Sequence, residues 1–218
     1  MSLYHDEALW LPGCVLAYNM VDLTPDGKLK DQSPYQNPGE LTDTVLSGRV
    51  RYFNGTSAFI NINKTPTEMK IVKELTILVW AQRDIITGNQ WICAPGDSGA
   101  INILDLIGLG SDYGVGVRTT DGYVQLSGGA MDTDWHFWAL SYDGANIFLR
   151  IDGKLKASNP QTGNLSTTNM GDLVFGRFGL GGTGWWQGKI GPIVMLNRAL
   201  SSDIITVRYH RGRLAPVT

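Results

Sequence analysis

The chain has 218 residues, of which 43% are hydrophobic and 17% are charged, so it carries enough apolar material for one large core. Its formal net charge is −2 and it has no basic stripe, which argues against a nucleic-acid partner. Its apolar stretches fall short of the roughly 20 residues that a membrane-spanning helix needs, so we predict no membrane insertion.

The glycines and the choice of acidic residues indicate an all-β chain. The 27 Gly are spread through the sequence, and among the 20 acidic residues Asp far outnumbers Glu. Asp forms turns, whereas helices favour Glu. We therefore expect 11 to 14 short strands joined by turns, as in a sandwich or barrel.

The N-terminal part is predicted as an arm over residues 1–12, followed by a single domain over residues 13–218. A first strand is expected at residues 15–21 and a proline-containing loop at residues 22–41. The opening residues lack the basic region of a signal peptide. Either the chain is not secreted by that route, or a signal has been removed from it.

The two cysteines, Cys14 and Cys93, both lie in apolar, strand-like surroundings. A disulfide requires Cα atoms within about 7 Å of each other, which spacing alone does not establish. We predict two buried thiols.

The middle of the chain contains several strand patterns. Residues 49–63 hold two strands around an Asn54-Gly55 turn, and residues 75–83 form a near-continuous apolar strand that should be buried on both faces. Three tryptophans in strand patterns are expected in the core: Trp80, Trp135 and Trp138.

The clearest pattern is a pair of hairpins over residues 135–154. Asp143-Gly144 and Asp152-Gly153 are turn sequences between alternating apolar residues, which is a strong hairpin signal. The alternation places Phe137 and Trp138 on opposite faces of the first strand.

The C-terminal part is predicted to contain a strand at residues 173–178, a glycine-rich tip at residues 179–184 and a last long strand at residues 186–196. Residues 201–209 are expected to form a short helix, with Ser201 or Ser202 as the N-cap.

Four segments carry a resemblance to a known family: residues 53–62, 75–81, 135–154 and 188–205. In this order and at this spacing they resemble the laminin-G-like jelly rolls of the concanavalin A-like lectin/glucanase superfamily, over nearly the whole chain from about residue 15. The resemblance implies an all-β, two-sheet antiparallel jelly-roll sandwich, with one convex and one concave sheet. The short helix would follow at its C-terminal end.

A calcium site is the one cofactor expectation. The family's last long strand commonly reads Gly-Lys-Ile-Asp-Glu, and in many relatives the Asp helps to hold Ca²⁺, but Gly191 and Pro192 replace both acids here. Ca²⁺ takes six to eight oxygen ligands, so the loop residues Asp22, Asp26 and Asp31 are candidate ligands. The alternative is that each Asp caps its own turn.

A serine-protease interpretation of the Gly-Asp-Ser-Gly sequence at residues 96–99 is rejected. A nucleophilic Ser needs a His base and a group that orients this base. The three histidines, His5, His136 and His210, lack the surroundings of a protease histidine, so the motif is interpreted as a turn.

A glycan-cleaving enzyme is retained only as a minor alternative. Glycanases need two carboxyl groups about 5 Å apart, and the Glu-x-Asp-x-x-Glu motif of the family's enzymes is absent. Asp132 and Asp134 are two positions apart and would face the same side of a strand, but they lie in the loop before Trp135. We therefore predict that the chain is not an enzyme, unless loop Asp residues converge in the concave groove.

Candidate ligand-binding residues are aromatic and basic side chains expected in loops: Trp91, Tyr113, Arg177 and Trp185. Sugars stack on aromatic rings, and neighbours on a strand face opposite sides. The family's aromatic residue before Gly-Lys-Ile favours Trp186 as core, which leaves Trp185 as the ligand candidate. The alternative is that Trp185 only covers a sheet edge.

The sequence therefore predicts a non-catalytic jelly-roll module for carbohydrate recognition at a cell or particle surface. The alternative is a structural or adhesion component of a virus or phage particle that binds protein. A glycan or a surface protein is the expected partner, and homo-oligomers are expected for a particle component. The expected location is extracellular, at the cell surface or on a virion.

Overall fold

The computed structural model describes residues 11–96, 104–166, 171–179 and 184–213. The predicted arm over residues 1–12 and the predicted turn at residues 96–99 lie almost entirely outside these ranges, as does most of the glycine-rich tip at 179–184. Within them the chain forms fifteen strands and one helix, slightly more strands than the turn pattern indicated.

The elements follow one another in a fixed order along the chain. They are β1 Cys14–Tyr18, β2 Glu40–Thr42, β3 Val45–Ser47, β4 Val50–Asn54, β5 Phe59–Asn61, β6 Leu75–Arg83, β7 Gln90–Gly96, β8 Leu104–Leu109, β9 Asp112–Thr119, β10 Gly122–Ala130, β11 Trp135–Tyr142, β12 Asn146–Ile151, β13 Lys154–Pro160, β14 Asp172–Phe175, β15 Gln187–Leu196 and α1 Ser202–Arg213.

The strands form two antiparallel sheets. The eight-stranded sheet has the order β13-β12-β11-β6-β15-β4-β3, and β1 pairs with β15 beside that path. The seven-stranded sheet has the order β10-β9-β8-β7-β14-β5-β2. The predicted all-β, two-sheet jelly-roll sandwich with a short C-terminal helix is confirmed.

The core between the sheets is built from the apolar faces of both. Trp138 of β11 and Trp186, just before β15, are its largest fully buried side chains, and their rings meet edge to face at 6.4 Å. Every residue of β6 except Gln82 is buried, as the continuous apolar pattern predicted. Burial of such side chains stabilises the fold by about 1.5–3 kcal/mol each.

The two predicted hairpins are present. Asp152 and Gly153 have φ of 54° and 75°, so β12 and β13 are joined by a two-residue turn in which both positions are left-handed. At the other turn only Gly144 has a positive φ, of 86°. There the loop has three residues, and the Asp143 carboxylate accepts hydrogen bonds from the backbone N–H groups of Ala145 and Asn146.

A second apolar cluster covers the outer face of the eight-stranded sheet. Phe137 and Trp80 point away from the main core, and Tyr209 of α1 stacks on Trp80 with ring centroids 5.9 Å apart. Trp135 packs against this cluster and is only half-buried, so its assignment to the fully buried core is corrected. Helix α1 therefore covers one sheet, and no described helix covers the outer face of the other.

The two thiols are buried and unpaired, as predicted. Cys93 lies in the core between the sheets, whereas Cys14 lies in the cluster beneath the helix. Burial raises the pKa of the Cys14 thiol to about 11, and it also raises that of Cys93. Both thiols are therefore protonated and unreactive at neutral pH.

The Gly191-Pro192 step marks an irregularity in β15. Its register against β6 shifts between Ile190 and Ile193. Gly191 is buried, and a Cβ placed on it would lie 3.2 Å from the Cβ of Trp80. The residues that replace the family's acids thus allow close packing on a core tryptophan.

Candidate functional site

The outer face of the seven-stranded sheet carries a row of aromatic side chains, which we call the aromatic strip. Strand alternation directs Leu104 and Leu106 of β8 into the core and Asp105 to the outer face. All five rings of the strip are half-buried, so each keeps part of its surface in solvent. The aromatic strip consists of Phe59, Trp91, Tyr123, Phe178 and Trp185.

One buried carboxylate fixes two rings of the strip. Asp105 has no exposed surface, its Oδ1 accepts a 3.1 Å hydrogen bond from Nε1 of Trp91, and its Oδ2 accepts a 2.9 Å bond from Oη of Tyr123. Gly116 pairs with Asp105, and a Cβ at Gly116 would lie 2.3 Å from Oη of Tyr123. The missing side chain at Gly116 is what lets the tyrosine cross β9 and reach the carboxylate.

The indole of Trp91 is held from a second side by the segment before β15. Its ring centroid is 4.7 Å from that of Phe178, and its backbone N–H donates to the carbonyl of Gly184. A Cβ at Gly184 would lie 2.2 Å from the indole, and the φ of Gly184 is 60°. Only glycine allows the backbone to lie flat against this ring.

At the other end of the strip, the guanidinium group of Arg177, which follows β14, contacts the ring of Phe59 in β5. Cζ of Arg177 is 3.7 Å from the ring centroid of Phe59 and 5.1 Å from that of Trp185. Burial lowers the pKa of this arginine, which is only 8% exposed. The cation thus stacks on two aromatic rings.

A second arginine lies beside Tyr123. Cζ of Arg118 is 5.1 Å from the ring centroid of Tyr123, and the side chain is half-buried on the outer face of β9. The strip therefore combines apolar ring surface with a guanidinium group near each end. Ring faces suit the C–H faces of sugars, and guanidinium groups suit hydroxyl and acidic groups.

The structure brings three of the four predicted ligand-binding residues to this face. Trp185 and Arg177 are in contact, and Trp91 lies in the same strip, although in strand β7 and not in the expected loop. Trp186 is fully buried while Trp185 is half-buried, as strand alternation and the resemblance indicated. A ligand-binding role for the three residues stays a prediction.

The expected loop position of Tyr113 is wrong. Tyr113 lies in β9, is 3% exposed and packs edge to face on Trp138 with ring centroids 4.9 Å apart. Its neighbour Gly114 takes the outward position, so alternation directs Tyr113 into the core. It presents no ring surface to a ligand.

The three loop carboxylates are not brought together. Asp31 is buried and accepts hydrogen bonds from the backbone N–H groups of Ala17, Ser33 and Asn37 and from the Ser33 hydroxyl. Asp22 and Asp26 are exposed. Among the described residues no group of three His, Cys, Asp or Glu side chains could hold a metal ion.

The exposed carboxylates also have partners within their own loop. Asp22 accepts from the amides of Asn19 and Gln32, and Asp26 accepts from the hydroxyl of Thr24. The backbone bonds of Asp31 match the turn-capping alternative, whereas Asp22 and Asp26 accept these bonds from side chains of the same loop. Calcium binding by Asp22, Asp26 and Asp31 stays a prediction.

His136 lies between two carboxylates at the edge of the sandwich. Its Nδ1 is 2.7 Å from Oδ2 of Asp152 and its Nε2 is 2.8 Å from Oδ1 of Asp132. Burial lowers the pKa of His136, but the hydrogen bonds to Asp152 and Asp132 outweigh burial, so the pKa is raised. The cluster ties the loop before β11 to the β12–β13 turn.

Three rings of the strip and the carboxylate that holds two of its rings were not among the sequence candidates. The rings are Phe59, Tyr123 and Phe178, and the carboxylate is Asp105. Asp105 carried a usable signal, because it interrupts an otherwise apolar strand. The others could be found only from the sheet order β10-β9-β8-β7-β14-β5, which brings residues far apart in the sequence to one face.

Comparison with known proteins supports the fold. A laminin-G-type family model, described as the concanavalin A-like lectin/glucanases superfamily, matches residues 54–206, more than half of the chain. No curated protein sequence matches the chain.

Solved structures with a similar fold include botulinum neurotoxin domains. The receptor binding domain of the C/D mosaic serotype has a TM-score of 0.71 and 14% identity, covering 91% of this chain and 51% of that chain. The binding domain of neurotoxin DC in complex with rat synaptotagmin II and the same domain in complex with SialylT each have a TM-score of 0.67 and 11% identity, covering 91% of this chain and 51% of theirs. The present chain spans about half the length of these relatives.

Proposed function

This chain belongs to the concanavalin A-like lectin/glucanase superfamily, and we propose that it is a non-catalytic module that recognises carbohydrate through the aromatic strip. The observation that carries the proposal is the row of five half-buried rings on the sheet face that no described helix covers. Partly exposed aromatic rings gathered on one face are typical of binding sites.

The strip is suited to sugars because its rings are held in place before a ligand arrives. Asp105 fixes Trp91 and Tyr123 by hydrogen bonds, so binding does not have to order these side chains. Preorganised rings reduce the entropic cost of binding. Trp185, at the opposite end, offers a partly exposed indole beside a cation.

The structural relatives support a role outside the cell or at a surface. The relatives are toxin binding domains, one in complex with SialylT and one with a synaptotagmin. We propose by analogy that this chain acts at a cell or particle surface, with a glycan as the leading partner. No described helix is long and apolar enough to cross a membrane.

A glycan array with purified protein tests the proposal. The wild type should bind a defined set of glycans, Trp185→Ala should lose this binding, and Trp135→Ala should keep it, since Trp135 is a half-buried tryptophan of the other sheet. Arrays run with Ca²⁺ and with EDTA test the proposed calcium ligands Asp22, Asp26 and Asp31. No glycan bound by the wild type in either condition would overturn the proposal.

A second candidate is a structural or adhesion component that binds protein or its own copies. Strand β3 is an edge of the eight-stranded sheet, and its consecutive residues Val45 and Leu46 are 61% and 47% exposed. Exposed apolar edge strands pair with other chains. Light scattering should then give an oligomer for the wild type and a smaller species for Leu46→Lys, whereas a monomeric wild type would contradict this candidate.

A further inference from the structure

Arg177 is a buried cation without a counter-ion. It is 8% exposed, and within the described residues it makes no hydrogen bond and no ion pair. Its fully buried Nε has no hydrogen-bond partner. The positive charge is stabilised by the rings of Phe59 and Trp185. A buried charge that lacks a partner is costly, so its surroundings favour an anion.

Arg83 shows how this fold satisfies an arginine that has a structural role. Arg83 is 1% exposed and its Nε also has no partner, but its Nη1 donates to the carbonyl of Gly110 at 2.7 Å and its Nη2 to that of Thr87 at 2.8 Å. Arg177 has no comparable bonds to backbone carbonyls. The difference points to a partner that is not part of the described chain.

The geometry leaves one edge of the guanidinium open. The ring centroids of Phe59 and Trp185 are 6.1 Å apart. Two rings on opposite faces of the guanidinium group would be farther apart than this, so the two rings cover adjacent sides of the group. Of the three guanidinium nitrogens, Nε is the one that is fully buried and unpartnered. The two Nη atoms, which make no hydrogen bond, therefore keep contact with solvent and present two parallel donors.

We infer that Arg177 is the anion-binding residue of the aromatic strip and recognises the carboxylate or sulfate of an acidic saccharide whose ring packs on Trp185. A carboxylate or sulfate can accept two parallel hydrogen bonds from the Nη edge. The half-buried indole of Trp185 beside the cation provides the adjoining surface for the sugar ring. This inference rests on the proposed glycan-binding function and specifies its ligand class.

Calorimetry with three matched probes tests the inference: methyl glucoside, methyl glucuronide and glucose 6-sulfate. The wild type should bind at least one of the two acidic sugars about tenfold more tightly than the neutral one. Arg177→Gln should lose this preference and retain the weak binding of methyl glucoside. Arg150→Gln is the control, because Arg150 also stacks on a ring, that of Phe148 at 5.1 Å, but lies on the other sheet.

A measurement on the wild type covers the case in which Arg177→Gln does not fold. Titration with sodium glucuronate and with sodium sulfate should shift the Arg177 Nε–Hε NMR signal and leave that of Arg150 in place. The acidic sugar that binds more tightly identifies the anion. Equal binding of all three sugars, or an unshifted Arg177 signal, would overturn the inference while glycan binding stands; no binding of any sugar or array glycan would overturn the proposed function itself.

Discussion

The indole of Trp91 and the carboxylate of Asp105 come from neighbouring strands and are joined by a 3.1 Å hydrogen bond between Nε1 and Oδ1. The bond lies on the outer face of the sheet, where no packing requirement of the core explains it. Because Asp105 is fully buried and also bonds Tyr123, one acidic side chain sets the orientation of two half-buried rings. This arrangement is the structural basis for treating the strip as a preformed binding surface.

Replacement of Asp105 tests this role. Asp105→Asn keeps the size of the side chain but removes its charge and turns one acceptor into a donor, so one of the two charge-assisted bonds must either break or, at the Tyr123 hydroxyl, reverse its direction. We expect a loss of about 1–3 kcal/mol in the free energy of unfolding. Urea unfolding measures it, with Asp112→Asn as the control, since Asp112 bonds the exposed Ser127 hydroxyl. Equal stability of both variants would show that the buried carboxylate does not hold the rings.

Two tryptophan variants test the assignment of core and surface. Trp138 is 1% exposed, so Trp138→Ala should cost roughly 3–5 kcal/mol as a large-to-small core change. Trp185 is half-buried on the outer face, so Trp185→Ala should cost less than half as much. Chemical denaturation with unchanged slope compares them. A larger loss at Trp185 than at Trp138 would contradict the assignment.

The His136 cluster predicts a pH-dependent contribution to stability. The folded-state pKa of His136 is raised, so the stabilisation is fully present below the unfolded pKa, near 6.5, and is lost as pH rises through the folded pKa. The pKa of Asp132 is lowered, chiefly by its hydrogen bond to His136. The stabilisation that Asp132 contributes is therefore lost as the pH falls from about 3.8 through the pKa of Asp132 in the folded state. The cluster therefore stabilises the fold fully between about pH 3.8 and pH 6.5.

Melting curves at two pH values check this window. His136→Gln should lower the Tm more at pH 5.5 than at pH 9, by about 2–4 °C, which corresponds to roughly 1 kcal/mol for a domain of this size. The expected shift in Tm is small because the Asp132 side chain is 62% exposed and screened by solvent. His210→Gln, at an exposed helix position, serves as the control. A Tm difference that is the same at both pH values would contradict the charged form of the cluster.

Local patterns predicted the fold well because hairpins are specified by neighbouring residues. The alternation around Asp152-Gly153 depends only on period-two geometry, which the sequence displays directly. The same geometry predicted that one of Trp185 and Trp186 is buried, and the family resemblance selected Trp186. The site was harder to predict, because Phe59 and Trp185 are 126 positions apart and meet only through the order β5-β14-β7. Tyr113 was misplaced because β9 already begins at Asp112, so Tyr113 belongs to the strand and not to the loop before it.

The most direct test of the aromatic strip follows the indole N–H signals of the seven tryptophans by NMR while a glycan identified on the array is added. The strip predicts that the signals of Trp91 and Trp185 shift together with saturation. It also predicts that the signals of Trp80 and Trp135, on the opposite face of the sandwich, stay in place. Shifts confined to Trp80 and Trp135, with Trp91 and Trp185 unmoved, would place the binding surface on the other sheet and contradict the account.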